Sequence, residues 1–153
     1  MKFSLSKLKT AFGNQSSKDK KQLDNFIEEI IKTIEQKPFA SSDQNVCYVA
    51  ANELAGYYFL QTIIVGKFKI KTFNGAQLTV KGDGFQLELE SDMKELVSDL
   101  YAVPKSYVTR IDFIINKKDL PKIDKSRIHS LILSAKKQCI TFSLTHTIND
   151  EEE

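Results

Sequence analysis

Between residues 66 and 90, apolar and polar positions alternate with a period of two, and two turn signals interrupt the alternation. Phe68, Ile70 and Thr72 alternate with Lys67, Lys69 and Lys71; Leu78 and Val80 follow Asn74-Gly75; Phe85, Leu87 and Leu89 follow Asp83-Gly84. A strand turns successive side chains to opposite faces, so this pattern predicts an antiparallel meander with one apolar and one charged face. Residues paired across a ladder must share a face. A two-residue loop at Asn74-Gly75 would set Lys71 opposite Leu78. The pattern therefore predicts a three-residue loop, Phe73-Asn74-Gly75, with Gly75 at positive φ, pairing Ile70 with Leu78 and Phe68 with Val80. At Asp83-Gly84 a two-residue turn pairs Val80 with Leu87 and Leu78 with Leu89.

The period changes elsewhere. Leu23, Phe26, Ile27, Ile30, Ile31 and Ile34 recur at three- and four-residue spacing, which predicts an amphipathic helix with Ser17 as N-cap, Asp19 in its first turn and Pro38 beyond its end. Asp43 to Leu54 is mixed: Val46, Cys47, Tyr48 and Val49 favour strand, whereas Ala50, Ala51, Glu53 and Leu54 tip the reading toward a short helix. Gly56 separates this segment from Tyr57–Val65, a β-branched and aromatic run that reads as a central strand, and Gly66 marks a bend. Met93, Leu96, Val97 and Leu100 have the spacing of a short helix ending before Pro104. Alternation resumes at Val108, with Ile111, Phe113 and Ile115 on one face and Arg110 and Asp112 on the other. A C-terminal hairpin turning at Lys136-Lys137 pairs Leu133 with Ile140 and Leu131 with Phe142.

Together these elements predict an α+β fold: a single twisted antiparallel sheet of about six strands, meander plus C-terminal hairpin, with the N-terminal helix packed on its apolar face. Residues 1–16 read as a flexible arm, 17–148 as one domain, and 149–153 as an acidic tail. The chain of 153 residues is long enough for a core without disulfides or metals.

Charge changes this picture little. Lysine and arginine number 22 against 20 acidic residues, a net charge of +2 that gives no whole-molecule pull toward nucleic acid or an anionic membrane. Lysines interrupt the N-terminal apolar residues, which argues against a secretory leader and for a cytoplasmic protein, and Tyr57–Val65 is too short to span a bilayer. Cys47 and Cys139 have no metal-ligand spacing. The C-terminal register brings His129 and His146 to one side of the sheet. A metal there would need a third ligand that no spacing supplies. No cofactor is implied, and no nucleophile elbow, phosphate loop or zinc-protease motif occurs.

The reading that follows is a non-catalytic intracellular binding or interaction domain that self-associates through an apolar sheet surface, with Tyr57, Tyr58, Phe59 and Phe73 as contact candidates. Three alternatives differ in class. A single-stranded nucleic-acid binder would use Lys67, Lys69, Lys71 and Lys81 with Phe73 for stacking, and is disfavoured because glutamates interleave on the same face. A carrier would hold an apolar small molecule between helix and sheet. An enzyme would assemble its site from scattered residues.

Overall fold

Strand-forming residues dominate, and they pair into one large antiparallel sheet. The computed structural model describes residues 26–144. Helix α1 (26–32) is followed by β1 (Ala40–Ser41), β2 (Asn45–Leu54), β3 (Tyr57–Gly66), β4 (Lys71–Thr72), β5 (Gln77–Gly82) and β6 (Phe85–Glu90). Next come β7 (Leu96–Val97), β8 (Asp99–Leu100), β9 (Tyr107–Ile114), a 3-10 turn (Lys117–Lys122), β10 (Ile128–Ala135) and β11 (Gln138–Leu144). Nine strands form one sheet in the order β6-β5-β10-β11-β1-β2-β3-β9-β8, and β4 pairs with β7 in a second, two-stranded sheet.

The large sheet is curled into a half-barrel whose margins meet. Ser91, immediately after β6, bridges to Phe113 of β9, and the Asp92 N–H donates to the Asp112 carbonyl at 2.8 Å. The concave face holds the main core: Leu60, Ile64, Leu78, Val80, Ile111, Phe113, Leu131, Leu133 and Phe142 are all buried there. Phe68, Ile70 and Leu96, from the segments around the small sheet, complete that core, and Leu120 and Ile123 pack against it from the 3-10 turn and its end. The helix lies on the opposite, convex face. Ile30 is fully buried there among Val46, Tyr48, Val65 and Val103.

This architecture corrects the α+β expectation to a mostly β fold, and with it the single six-strand sheet and the position of the helix. The apolar sheet face is covered by the curl of the sheet itself, and the helix covers only a smaller apolar group on the back of β2, β3 and β9. Leu23, Ser17 and Asp19, the arm 1–16 and the tail 149–153 lie outside the described residues. The helix stops at residue 32, well before Pro38. There Thr33 turns both its N–H (3.0 Å) and its hydroxyl (2.6 Å) onto the Ile30 carbonyl, the local competition by which threonine ends helices.

The first half of the meander is also corrected. β4 pairs with β7, Lys71 opposite Val97 and Thr72 opposite Leu96, whereas β5 pairs with β6 and β10. Phe68, Ile70 and Thr72 are buried as the alternation implies. Their backbone, however, is satisfied by side chains: Phe68 N–H donates to Asn45 Oδ1 at 2.8 Å and Ile70 N–H to Ser98 Oγ at 2.9 Å. Alternation reports which face is wet, not which strand is next. The second turn has the expected pairs, Val80 with Leu87 and Leu78 with Leu89, as does the C-terminal hairpin.

Two segments expected as helices are strands. Residues 45–54 form β2, because the Ala55-Gly56 turn pairs Leu54 with Tyr57 and the ladder continues to Asn45 opposite Gly66, overriding the helix propensity of its alanines. In the 93–100 segment Leu96 turns into the core, while Met93, Val97 and Leu100 stay exposed. The short β7 and β8 pair there instead of a helix.

Two glycines have defined jobs. Gly75, at φ +75°, receives Ser91 Oγ 2.8 Å from where a Cβ would stand, and its N–H donates to the Lys94 carbonyl at 2.8 Å. Gly66, at φ +155°, bends the chain out of β3; a Cβ there would lie 2.1 Å from the Gln44 carbonyl oxygen. That oxygen belongs to the backbone and cannot rotate away, so Gly66→Ala is expected to destabilise the fold by about 2 kcal/mol or more. Ile30→Ala should cost about 2–4 kcal/mol by leaving a cavity. Urea denaturation checks both, and a Gly66→Ala variant as stable as the parent would show that the bend is not constrained.

Candidate functional site

The alternation that places a strand's side chains also distributes the sequence-derived candidates. Tyr57 and Phe59 point outward from β3 and Tyr58 points inward, where it packs against the main core. Tyr57 is 68% exposed and pairs with Leu54, itself 67% exposed; Phe59 is half-buried and pairs with Ile114 of β9. These four form one outer apolar patch at the end of the β2–β3 hairpin. Phe73 lies elsewhere, 64% exposed in the loop after β4.

The four lysines do not form one stripe. Lys67 stacks its ammonium over Phe26 at 4.4 Å and donates to the Lys105 carbonyl at 3.3 Å. Lys69 lies over Tyr107 at 5.1 Å. Lys81 stands on the outer face of β5 between Gln86 and Ser130. Only Lys71 joins other cations. The Lys136 ammonium donates to the Lys71 carbonyl at 2.9 Å, and the Gln138 amide donates to the Lys69 carbonyl at 3.2 Å, so the tip of the β10–β11 hairpin sits against β4. Lys94 borders Gly75 on the same side, with its Cδ 3.4 Å from where a Cβ would stand.

Lys136 and Lys137 line an open depression of about 460 Å³ together with Gly75, Gln77, Glu90, Ser134 and Gln138, among others. The turn that forms its edge is strained, since Lys136 and Lys137 both have positive φ, 44° and 67°. Lys94, Lys136 and Lys137 were not among the sequence candidates. The one available signal was a two-residue hairpin loop that carries two lysines where Asn-Gly is the usual solution.

His129 does not face the core as simple parity implies. A bulge between Ile128 and Ser130, opposite Gly82 and Lys81, inserts one residue. Ile128 goes into the core and His129 goes out to solvent, where its Nε2 meets Asp83 Oδ1. His146 lies outside the described residues. Among the described residues, no group of three or more His, Cys, Asp or Glu side chains has the arrangement of a metal site.

The cysteines differ in character. Cys139 is exposed beside Ser134, and Cys47 is buried in the main core. Burial pushes the Cys47 thiol up to about 12. The neighbouring Tyr48 is also pushed up to about 12, by burial first and by Tyr101 second, and its buried hydroxyl has no hydrogen-bond partner.

Every exposed large hydrophobic among the described residues lies in β2, β3, β7, β8, β9 or the loops flanking the small sheet; none lies in β5, β6, β10 or β11. The outer face of those four strands is mostly polar instead, with cross-strand rows such as Gln86, Lys81, Ser130 and Ser143. No helix of the described chain is long and apolar enough to cross a membrane. No family model, curated protein or solved structure matches the chain.

The two raised pKa values predict the alkaline behaviour. Unfolded Cys47 loses its proton near 9 and unfolded Tyr48 near 10, while both stay protonated in the fold up to about 12. The unfolded state then binds fewer protons, and stability falls as pH rises above 9, at no more than about 1.4 kcal/mol per pH unit for each group. Denaturation midpoints measured from pH 8 to 11 should show this fall. In the native protein a thiol reagent should modify Cys139 rapidly and Cys47 only on unfolding.

Proposed function

We propose that the chain is a non-catalytic interaction domain that self-associates through the outer patch of Leu54, Tyr57, Phe59 and Ile114. The observation that carries this reading is the contiguous outer patch at the end of the β2–β3 hairpin, where Leu54, Tyr57 and Ile114 are exposed and Phe59 is half-buried. Such side chains scattered singly are ordinary, whereas a contiguous group commonly marks a contact surface. Two of its members, Tyr57 and Phe59, are aromatic, a residue type that anchors interfaces, and the other two, Leu54 and Ile114, pair with them across a ladder.

A second copy is the occupant that the charges favour. Arg110 and Asp112 are exposed on the same outer face of β9 as Ile114, two residues apart. A two-fold axis beside them would set Arg110 of each copy against Asp112 of the other, so the same patch is complementary to itself in charge.

Sedimentation velocity across the micromolar range tests this. A concentration-dependent dimer is expected, and the double variant Tyr57→Ser/Ile114→Ser should weaken it by about tenfold or more, the effect of losing one central apolar anchor. Arg110→Asp should weaken it and Arg110→Asp/Asp112→Arg should restore it. A monomer at every concentration would overturn the proposal.

A further inference from the structure

We infer that the rim around the Lys136-Lys137 turn is a second binding site, for single-stranded nucleic acid. It is distinct from the self-association patch and does not depend on it.

Three independent features meet at this place. The first is uncompensated charge. Lys71, Lys94 and the Lys136-Lys137 pair come from three separate segments of the chain and are gathered by the contact of the β10–β11 tip with β4 and by the apposition of Gly75 with Lys94. Among the described residues none of the four ammonium groups lies in an ion pair. One carboxylate of the β5–β6 face, Glu90, lines the depression with Lys136 and Lys137, which leaves the four lysines in excess.

The second is an aromatic platform. Phe73 is 64% exposed and lies between Lys71, whose carbonyl accepts from the Lys136 ammonium, and Gly75, which lines the depression, so the chain carries it past the cationic turn. Phosphates tracked by lysines and bases stacked on an exposed ring are the combination that binds single strands without duplex geometry. The third is a polar depression beside the platform. Its Gln77, Gln138 and Ser134 side chains offer donors and acceptors for the edges of an unpaired base, and Glu90 can accept from an exocyclic amine.

The turn itself points the same way. Two lysines held at positive φ are a poor choice for a hairpin, and asparagine followed by glycine would relieve the backbone at once. Backbone strain kept where an unstrained sequence exists is the pattern of sites held for function.

Fluorescence anisotropy with a short fluorescein-labelled oligothymidylate, its oligouridylate counterpart and a duplex of equal charge tests the assignment. The single strands should bind more tightly than the duplex, and a difference between the two separates DNA from RNA as the source. Affinity should fall with salt at a log–log slope of about −3, about −0.7 for each of four neutralised phosphates. Lys136→Asn/Lys137→Gly should flatten that slope by about 1.4 while the melting temperature holds or rises, which separates lost binding from lost folding. Phe73→Ala should weaken binding by about tenfold without changing the slope. Tyr57→Ser/Ile114→Ser should leave the anisotropy curves unchanged, so the two proposals fail separately. Absence of salt-dependent binding, equal binding of duplex, or a Phe73→Ala variant that binds like the parent would each overturn it.

Discussion

The concave face of the sheet must be kept from water, and the meeting of the sheet margins at Ser91 and Phe113 is where that requirement is met. Strands with one apolar face need a covering layer. The described helix sits on the other face, so the sheet supplies its own cover by curling until the chain leaving β6 reaches β9. Ser91 is buried at this junction, with its hydroxyl accepting from the Ala76 N–H at 3.0 Å and donating to the Met93 carbonyl at 2.8 Å. Closing a curled sheet leaves backbone groups off the regular ladder, and each must find a partner. Asn45 and Ser98 do for the 68–70 segment what Ser91 does for the seam.

That division explains what could be read in advance. Face assignment was legible: Phe68, Ile70, Leu78, Val80, Ile111, Phe113, Leu131 and Leu133 all lie inside, because period-two alternation records solvent exposure directly. Local hairpins were legible too, since the two-residue turns at Asp83-Gly84 and Lys136-Lys137 leave a single register that keeps apolar residues together. Nonlocal pairing was not. β10 lies against β5, and β1 is inserted between β11 and β2. These neighbours share faces that many other strands would match equally well, so no pattern in the chain selects them.

The polar residues that decided the topology carried no periodic signal at all. Asn45, Ser91 and Ser98 are buried or nearly so and act through two side-chain hydrogen bonds each, and a one-residue bulge at His129 reverses the face that parity assigns. For the candidate sites the same limit holds. Tyr57 and Phe59 were legible as surplus aromatic area, but their companions Leu54 and Ile114 joined them only through the β2–β3 and β3–β9 ladders. The lysine stripe failed for a related reason: with β4 detached from β5, Lys67, Lys69 and Lys81 disperse, and Lys71 meets lysines more than sixty residues away in sequence.

The three two-residue hairpin loops allow one more comparison. Ala55-Gly56 and Asp83-Gly84 place glycine second, whereas Lys136-Lys137 places a lysine at each position and holds both at positive φ. All three connect paired antiparallel strands, so the demands of the fold are of one kind; Ala55 also stands at positive φ, 53°, and only Asp83-Gly84 meets them with glycine alone in that region. What sets the third apart is its neighbourhood. Its tip rests on β4, opens onto the polar depression and stands beside an exposed ring, whereas no Cβ placed at Gly56 or Gly84 would meet another atom within 4 Å. Positive φ alone therefore does not distinguish the lysine turn; its neighbourhood does.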